Sequence, residues 1–198
     1  MHLYIRDYVD RSVQDLADDL RRRISGGEGV PFRDLRFWQI THNDDGPIDS
    51  ENGIYWIALD GKPLYIGKCT SLSFVERIGA HLSLGAHHWK NLLLRRRAGI
   101  QRRNGLAPQD AVEDFANARL GLLHIMHRRM SGEAGENLDG ATCQQVGELE
   151  TALRASLKPE QTRSHAPVNQ EYMARPIRVA LQNALQAAGP EIAPVLER

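Results

Sequence analysis

Two tyrosines, Tyr55 and Tyr65, stand on either side of an Asp60-Gly61 dipeptide in the run from Gly53 to Gly67. Ile54, Trp56 and Ala58 alternate with Tyr55, Ile57 and Leu59, the pattern of a half-buried strand. Asp60-Gly61 predicts a tight turn, because both residues tolerate positive φ. Pro63, Leu64, Tyr65 and Ile66 predict the return strand, with Pro63 near its start or on an edge. On paired strands the two phenols can stand together at one rim of a sheet, which is more than packing asks for. The plainer alternative is a pair of core or interface tyrosines.

Three further sets of groups have the types and spacings of chemistry. Arg77 and His81 are four residues apart and share one face of a helix capped by Ser71 or Ser73, beside a buried stripe of Phe74, Ile78 and Leu82. Glu150 lies on a helix predicted over Cys143 to Lys158, flanking its core stripe of Val146, Leu149, Leu153 and Leu157. An i,i+4 ion pair with Arg154 is its simplest account, and Glu148 points further out. The segment Trp89 to Arg103 carries Lys90, Arg95, Arg96, Arg97, Arg102 and Arg103, the densest positive patch of the chain. It is either a phosphate-facing surface or a solvated helix face. The triplet Arg21-Arg22-Arg23 reads as a solvated helix end. His87-His88 has no third ligand at a useful spacing and does not make a zinc site. Asp44 and Asp45 read as turn residues.

The elements that must position these groups follow from pattern. A helix is predicted from about Asp7 to Ile24, a strand over Leu35 to Thr41, and a loop at His42 to Pro47. Pro108 to Ala118 predicts a short helix, Leu120 to Met126 a buried strand, Ser131 to Thr142 a loop, and Arg175 to Ala188 a final helix. The 198 residues carry 25 Lys+Arg against 25 Asp+Glu, so net charge gives no argument for a polyanionic partner and only local clustering can. This length suits one domain with decorations. Cys69 and Cys143 fit no metal-ligand spacing, and the chain shows neither a signal-like apolar start nor a bilayer-length apolar run. A reduced, cytoplasmic protein is the expectation.

Taken in order, Gly53-Ile54-Tyr55, Tyr65-Ile66-Gly67-Lys68, Arg77 with His81, Glu150 before Pro159, and then Asn169 resemble the GIY-YIG nuclease family. Both signature tripeptides are intact, and the resemblance spans roughly Asn52 to Asn169. It implies a compact α/β fold with a three-stranded antiparallel sheet flanked by helices. Residues 1–50 are then an N-terminal extension of helix plus strand, 51–170 the nuclease domain, and 171–198 a C-terminal helical extension. Two departures stand out. The segment between Gly67 and Arg77 is slightly long, and Asn169 lies well beyond Pro159.

The resemblance also implies a metal-dependent DNA endonuclease. In it Glu150 holds one Mg²⁺ or Mn²⁺, Arg77 grips the scissile phosphate, and Tyr65 is the candidate general base. Tyr55 orients water or shares the proton network, His81 relays a proton or holds the Tyr55 hydroxyl, and Lys68, Arg77 or the metal must favour phenolate. Asn169 completes the catalytic set. Gly53 and Gly67 permit close backbone approach at the site, and Gly67 and the basic segment contribute DNA contacts. The partner is DNA, and cutting both strands would take two protomers, two binding events or a partner protein. A site-specific restriction-type enzyme is the first reading. A structure-specific repair or recombination nuclease, a toxin-type DNase and a non-cutting nucleic-acid-binding module are the alternatives.

Overall fold

The computed structural model describes residues 1–43, 46–47, 51–70, 72–83, 93–105, 107–127, 140–162 and 166–187. The chain begins with β1 (His2–Tyr4) and a single 3₁₀ turn, followed by α1 (Val13–Ser25). Next come β2 (Val30–Pro31), α2 (Phe37–Thr41), β3 (His42–Asn43) and β4 (Gly46–Pro47). The central part comprises β5 (Glu51–Leu59), β6 (Lys62–Cys69), α3 (Phe74–Leu82), α4 (Leu93–Arg103), α5 (Pro108–Asn117), β7 (Arg119–His127) and α6 (Gly140–Leu157). Three short helices follow: α7 (Gln170–Ala174), α8 (Ile177–Ala180) and α9 (Gln182–Ala187). No helix among the described residues is long and apolar enough to cross a membrane.

The fold is mixed α/β, around a mostly antiparallel five-stranded sheet rather than a three-stranded one. β6, β5 and β7 form the antiparallel centre, β1 joins β7 in parallel, and β2 pairs antiparallel with β7. The two added strands are three and two residues long. Strands so short carry no periodicity for a sequence to display. β1 is held further by its side chains: His2 Nδ1 lies 2.8 Å from His124 Nε2, and Tyr4 stacks on the His124 ring.

Helices cover both faces of the sheet. On one, Ile54, Trp56, Ala58, Ile66, Leu123 and Ile125 pack with the apolar sides of α1 and α6 to α9. On the other, Tyr55, Ile57, Leu64, Tyr65, Leu120 and Leu122 pack with Ile40, Phe74, Ile78, Leu93, Leu94 and Phe115 from α2 to α5. Residues 1–40 and 172–185 thus contribute to the same cores as the central segment.

Several elements differ from the sequence reading. α1 starts at Val13, because Ser12 Oγ accepts from Asp15 N while the Asp15 carboxylate receives Ser12 N, a reciprocal cap that fixes the first turn. The strand expected over Leu35 to Thr41 is instead α2, closed at its start by Arg36 N–H donating to Gln39 Oε1 at 2.8 Å. The final helix is broken into α8 and α9 at Leu181. In α3 the third buried position is His81, 2% exposed, while Leu82 is 39% exposed. His81 lies seven residues beyond Phe74, which returns it to the same helix face. Asp44, Asp45, His87, His88, Lys90 and most of the Ser131–Thr142 loop lie outside the described residues.

Candidate active site

The register of the β5–β6 hairpin decides whether the phenols meet. Asp60 (φ 51°) and Gly61 (φ 70°) make the two-residue turn, with Leu59 opposite Lys62 and Ala58 opposite Pro63. Continued without a break, that register would set Tyr65 opposite Trp56, on the face away from Tyr55. A bulge prevents this. Leu64 is the extra residue, so Tyr65 pairs with Ile57 and Tyr55 with Gly67. Both phenols now share the face covered by α3, with ring centroids 6.0 Å apart.

Gly67 lies directly beneath them. A Cβ there would fall on the Tyr55 hydroxyl and within 2.7 Å of Tyr65 Cε1, so the close approach expected of Gly67 is to the two rings. Gly53 makes a different approach, to the Leu123 carbonyl of the neighbouring strand.

Helix α3 supplies the third group. Its start is fixed by Ser73, whose Oγ accepts from Glu76 N while the Glu76 carboxylate receives Ser73 N. Phe74 and Ile78 anchor it in the core, and His81 is carried inward. His81 Nε2 lies 2.5 Å from Tyr55 Oη, and its ring meets Tyr65 edge-on at 4.9 Å. The three rings form one buried cluster, tied by the Tyr55–His81 hydrogen bond.

Glu150 reaches this cluster from the opposite layer. Its helix α6 buries Val146, Leu149, Leu153 and Leu157, which leaves Glu150 on the flank beside edge strand β6. Arg154 Nη1 stands 3.4 Å from Glu150 Oε1, longer than the ~2.7–2.9 Å of a strong charge-assisted bond. Lys68 and Arg77 also act on this carboxylate. Lys68 passes over Gly147, one turn before Glu150, where a Cβ would come within 2.5 Å of its Nζ. Tyr65 lies within the fields of Glu150, Arg154 and Arg77.

Burial dominates the proton affinities. It raises the Glu150 pKa above the ordinary carboxylate value, against the opposing pull of Arg154, Lys68 and Arg77. It also raises both phenols, with Glu150 adding to the rise and Arg77 opposing it in each case. Of the groups expected to favour phenolate, Arg77 acts in that direction on both phenols, against the larger effect of desolvation.

Among the described residues no group of three or more His, Cys, Asp or Glu converges to hold a metal. Glu150 is instead a lone, mostly buried carboxylate, loosely matched by Arg154. That donor set suits a hard oxygen-seeking ion that keeps most of its own waters.

Other expected site residues lie elsewhere. Asn169 caps α7, its Oδ1 accepting from Tyr172 N at 3.0 Å, and no described contact joins it to the phenols. The basic helix divides by role. Arg97 pairs with Asp114 of α5 at 3.0 Å, and Arg96 donates to the Gln161 carbonyl at 3.2 Å. Arg95, Arg102 and Arg103 are exposed.

Sequence reasoning missed Gly147 and Leu64 as parts of the site, whereas the Glu150–Arg154 ion pair was read from its i,i+4 spacing. Gly147 did carry a signal, as an isolated glycine inside a helix one turn from an acid. Comparison of the chain with protein-family models, characterised proteins and solved structures gives no match.

Proposed function

We propose that this chain is a metal-dependent DNA endonuclease of GIY-YIG type, built on the β6-β5-β7 antiparallel centre with the remaining strands as elaborations. One observation carries the reading: Tyr55, Tyr65 and His81 make a buried cluster of rings, with Tyr55 hydrogen-bonded to His81, beside the Glu150 carboxylate and within the field of Arg77. Packing alone has no need to gather these groups from two strands and two helices.

The reaction is attack of water on phosphorus, forming one P–O bond and breaking the bond to the 3′ oxygen, which takes a proton from solvent. Arg77 offers its guanidinium to the phosphate oxygens. Tyr65 receives the proton of the attacking water as its own passes to Tyr55 and that of Tyr55 to His81 Nε2. This route keeps both phenols neutral before and after the step, in accord with the burial that disfavours phenolate. Imidazole is the one group of the set that ordinarily accepts a proton near neutral pH. A Mg²⁺ or Mn²⁺ held by Glu150 supplies, when bound, neutralisation of charge at the phosphate and the leaving oxygen.

Each site cuts one strand, so a double-strand break requires two protomers, two binding events or a partner protein. The test is incubation of the purified protein with supercoiled plasmid and Mg²⁺. Nicking that disappears in Glu150→Ala and in Tyr65→Phe is the expected result. Absence of cleavage with retained DNA binding would favour the non-cutting module. Sequencing of the cut ends separates a restriction-type enzyme, with one recurrent sequence, from repair or toxin-type cutting.

A further inference from the structure

Helix α2 carries two adjacent aromatic side chains in solvent: Phe37 is 71% exposed and Trp38 57% exposed. Large aromatic side chains are rarely left so open side by side on a soluble surface. Their position is fixed from beneath, because Ile40 of the same helix is buried in the core that contains Tyr55, Tyr65 and Ile78. The helix also packs against α3, which bears Arg77 and His81. The exposed pair therefore sits on the side of the sheet where the phenols lie. Arg33 and Arg36 immediately precede it and are exposed, outnumbering the single carboxylate Asp34. None of the described ion pairs engages either arginine.

We propose that Phe37 and Trp38 form a stacking platform for unpaired bases of the nucleic acid, with Arg33 and Arg36 facing its phosphates. The inference rests on the nuclease reading above and narrows its substrate to DNA with a single-stranded segment beside the cut. Aromatic faces flanked by cations fit an unpaired strand, in which every base offers a π-face and every link a negative charge. Consecutive residues of a helix point about 100° apart, so the two rings cannot enter one base step of a duplex together. They can each take one of two successive bases of a flexible strand. A second copy of this chain is a poorer occupant, since self-pairing would bring Arg33 and Arg36 against their own copies.

The experiment measures binding of the full chain, in EDTA to prevent cutting, to a labelled single strand, a blunt duplex and a flapped duplex. Phe37→Ala/Trp38→Ala should weaken single-strand and flap binding by roughly 5- to 100-fold, the scale of losing one to two stacked bases. Duplex affinity should change less than twofold. Phe37→Tyr/Trp38→Phe should restore binding, and melting curves should match wild type because neither ring supports the core. Equal losses on all three DNAs, or none, would overturn the platform, as would a wild-type dimer that the double alanine variant converts to monomers. The two readings fail separately. Wild-type protein that cuts plasmid while the variant binds every substrate normally leaves the nuclease standing without the platform. Wild-type protein that neither binds nor cuts any DNA removes both.

Discussion

Tyr55 Oη and His81 Nε2 lie 2.5 Å apart, in a site where Tyr55 is 1% and His81 2% exposed. A bond this short between buried partners ties the hairpin to α3. Removing the hydroxyl with Tyr55→Phe leaves the imidazole without that partner. Stability should fall by about 1–3 kcal/mol, and cleavage by roughly 10²- to 10⁴-fold. Thermal melting and a plasmid nicking assay read the two effects separately. A wild-type rate in this variant would show that the proton does not travel through Tyr55.

Glu150→Gln should abolish cleavage and stabilise the fold. Burial raises the Glu150 pKa in the folded state, so its folded form binds its proton more tightly than the unfolded chain does. The associated stability is fully present below the unfolded carboxylate pKa and is lost as pH rises through the folded value. At neutral pH the ionised carboxylate is a cost, which the amide removes while keeping the shape. A rise in Tm at pH 7 that shrinks toward acid pH is expected from differential scanning calorimetry. A lower Tm at pH 7 would mean that pairing with Arg154 outweighs desolvation.

Gly147→Ala separates geometry from stability in the opposite way to a core mutation. Alanine suits a helix interior better than glycine by about 1 kcal/mol, so the fold should hold or improve. The new Cβ displaces only the end of a flexible lysine, moving the Lys68 ammonium off α6 near Glu150. Cleavage should drop with no loss of Tm. Gly67→Ala should instead cost about 1–3 kcal/mol, because its Cβ meets two rings that have nowhere to go.

The arginines of α4 should sort into two groups. Arg97→Ala breaks the pair with Asp114 and should cost up to about 1 kcal/mol of stability. Charge reversal at the exposed Arg102 and Arg103 should leave Tm unchanged. It should also lower DNA affinity and flatten its salt dependence by about 0.9 in log–log slope for each lost phosphate contact. Binding titrations at several salt concentrations test this, and an unchanged slope would mark both residues as merely solvated.

The central hairpin, α3, α5, β7 and α6 were legible because each has a strong period and a chemical stop, such as Asp60-Gly61, the Ser73 cap and Pro159. What escaped notice depends on pairing between distant segments. Nothing in His2-Leu3-Tyr4 announces a parallel partner more than a hundred residues away, at Leu122 to His124. The β-rich composition of Leu35 to Thr41 pointed to a strand, and a local bond from Arg36 to Gln39 made it a helix. The site was legible as residue types but not as geometry. Without the Leu64 bulge the same tyrosines would have lain on opposite faces, and the hairpin pattern looks alike in both cases. The desolvation that raises both phenol pKa values could not be read from the identity of neighbouring charges.

The order of the strands in the sheet has a bearing on synthesis. β7 lies between β1 and β5, so the sheet cannot close until the chain past His127 has emerged. The carboxylate at Glu150 follows later still, on the helix that seals one face. A nascent chain leaving the ribosome therefore holds both phenols, the imidazole and Arg77 long before it can bring them against an acid. Such non-local closure also slows folding. Any activity that depends on Glu150 is thereby confined to chains translated past α6.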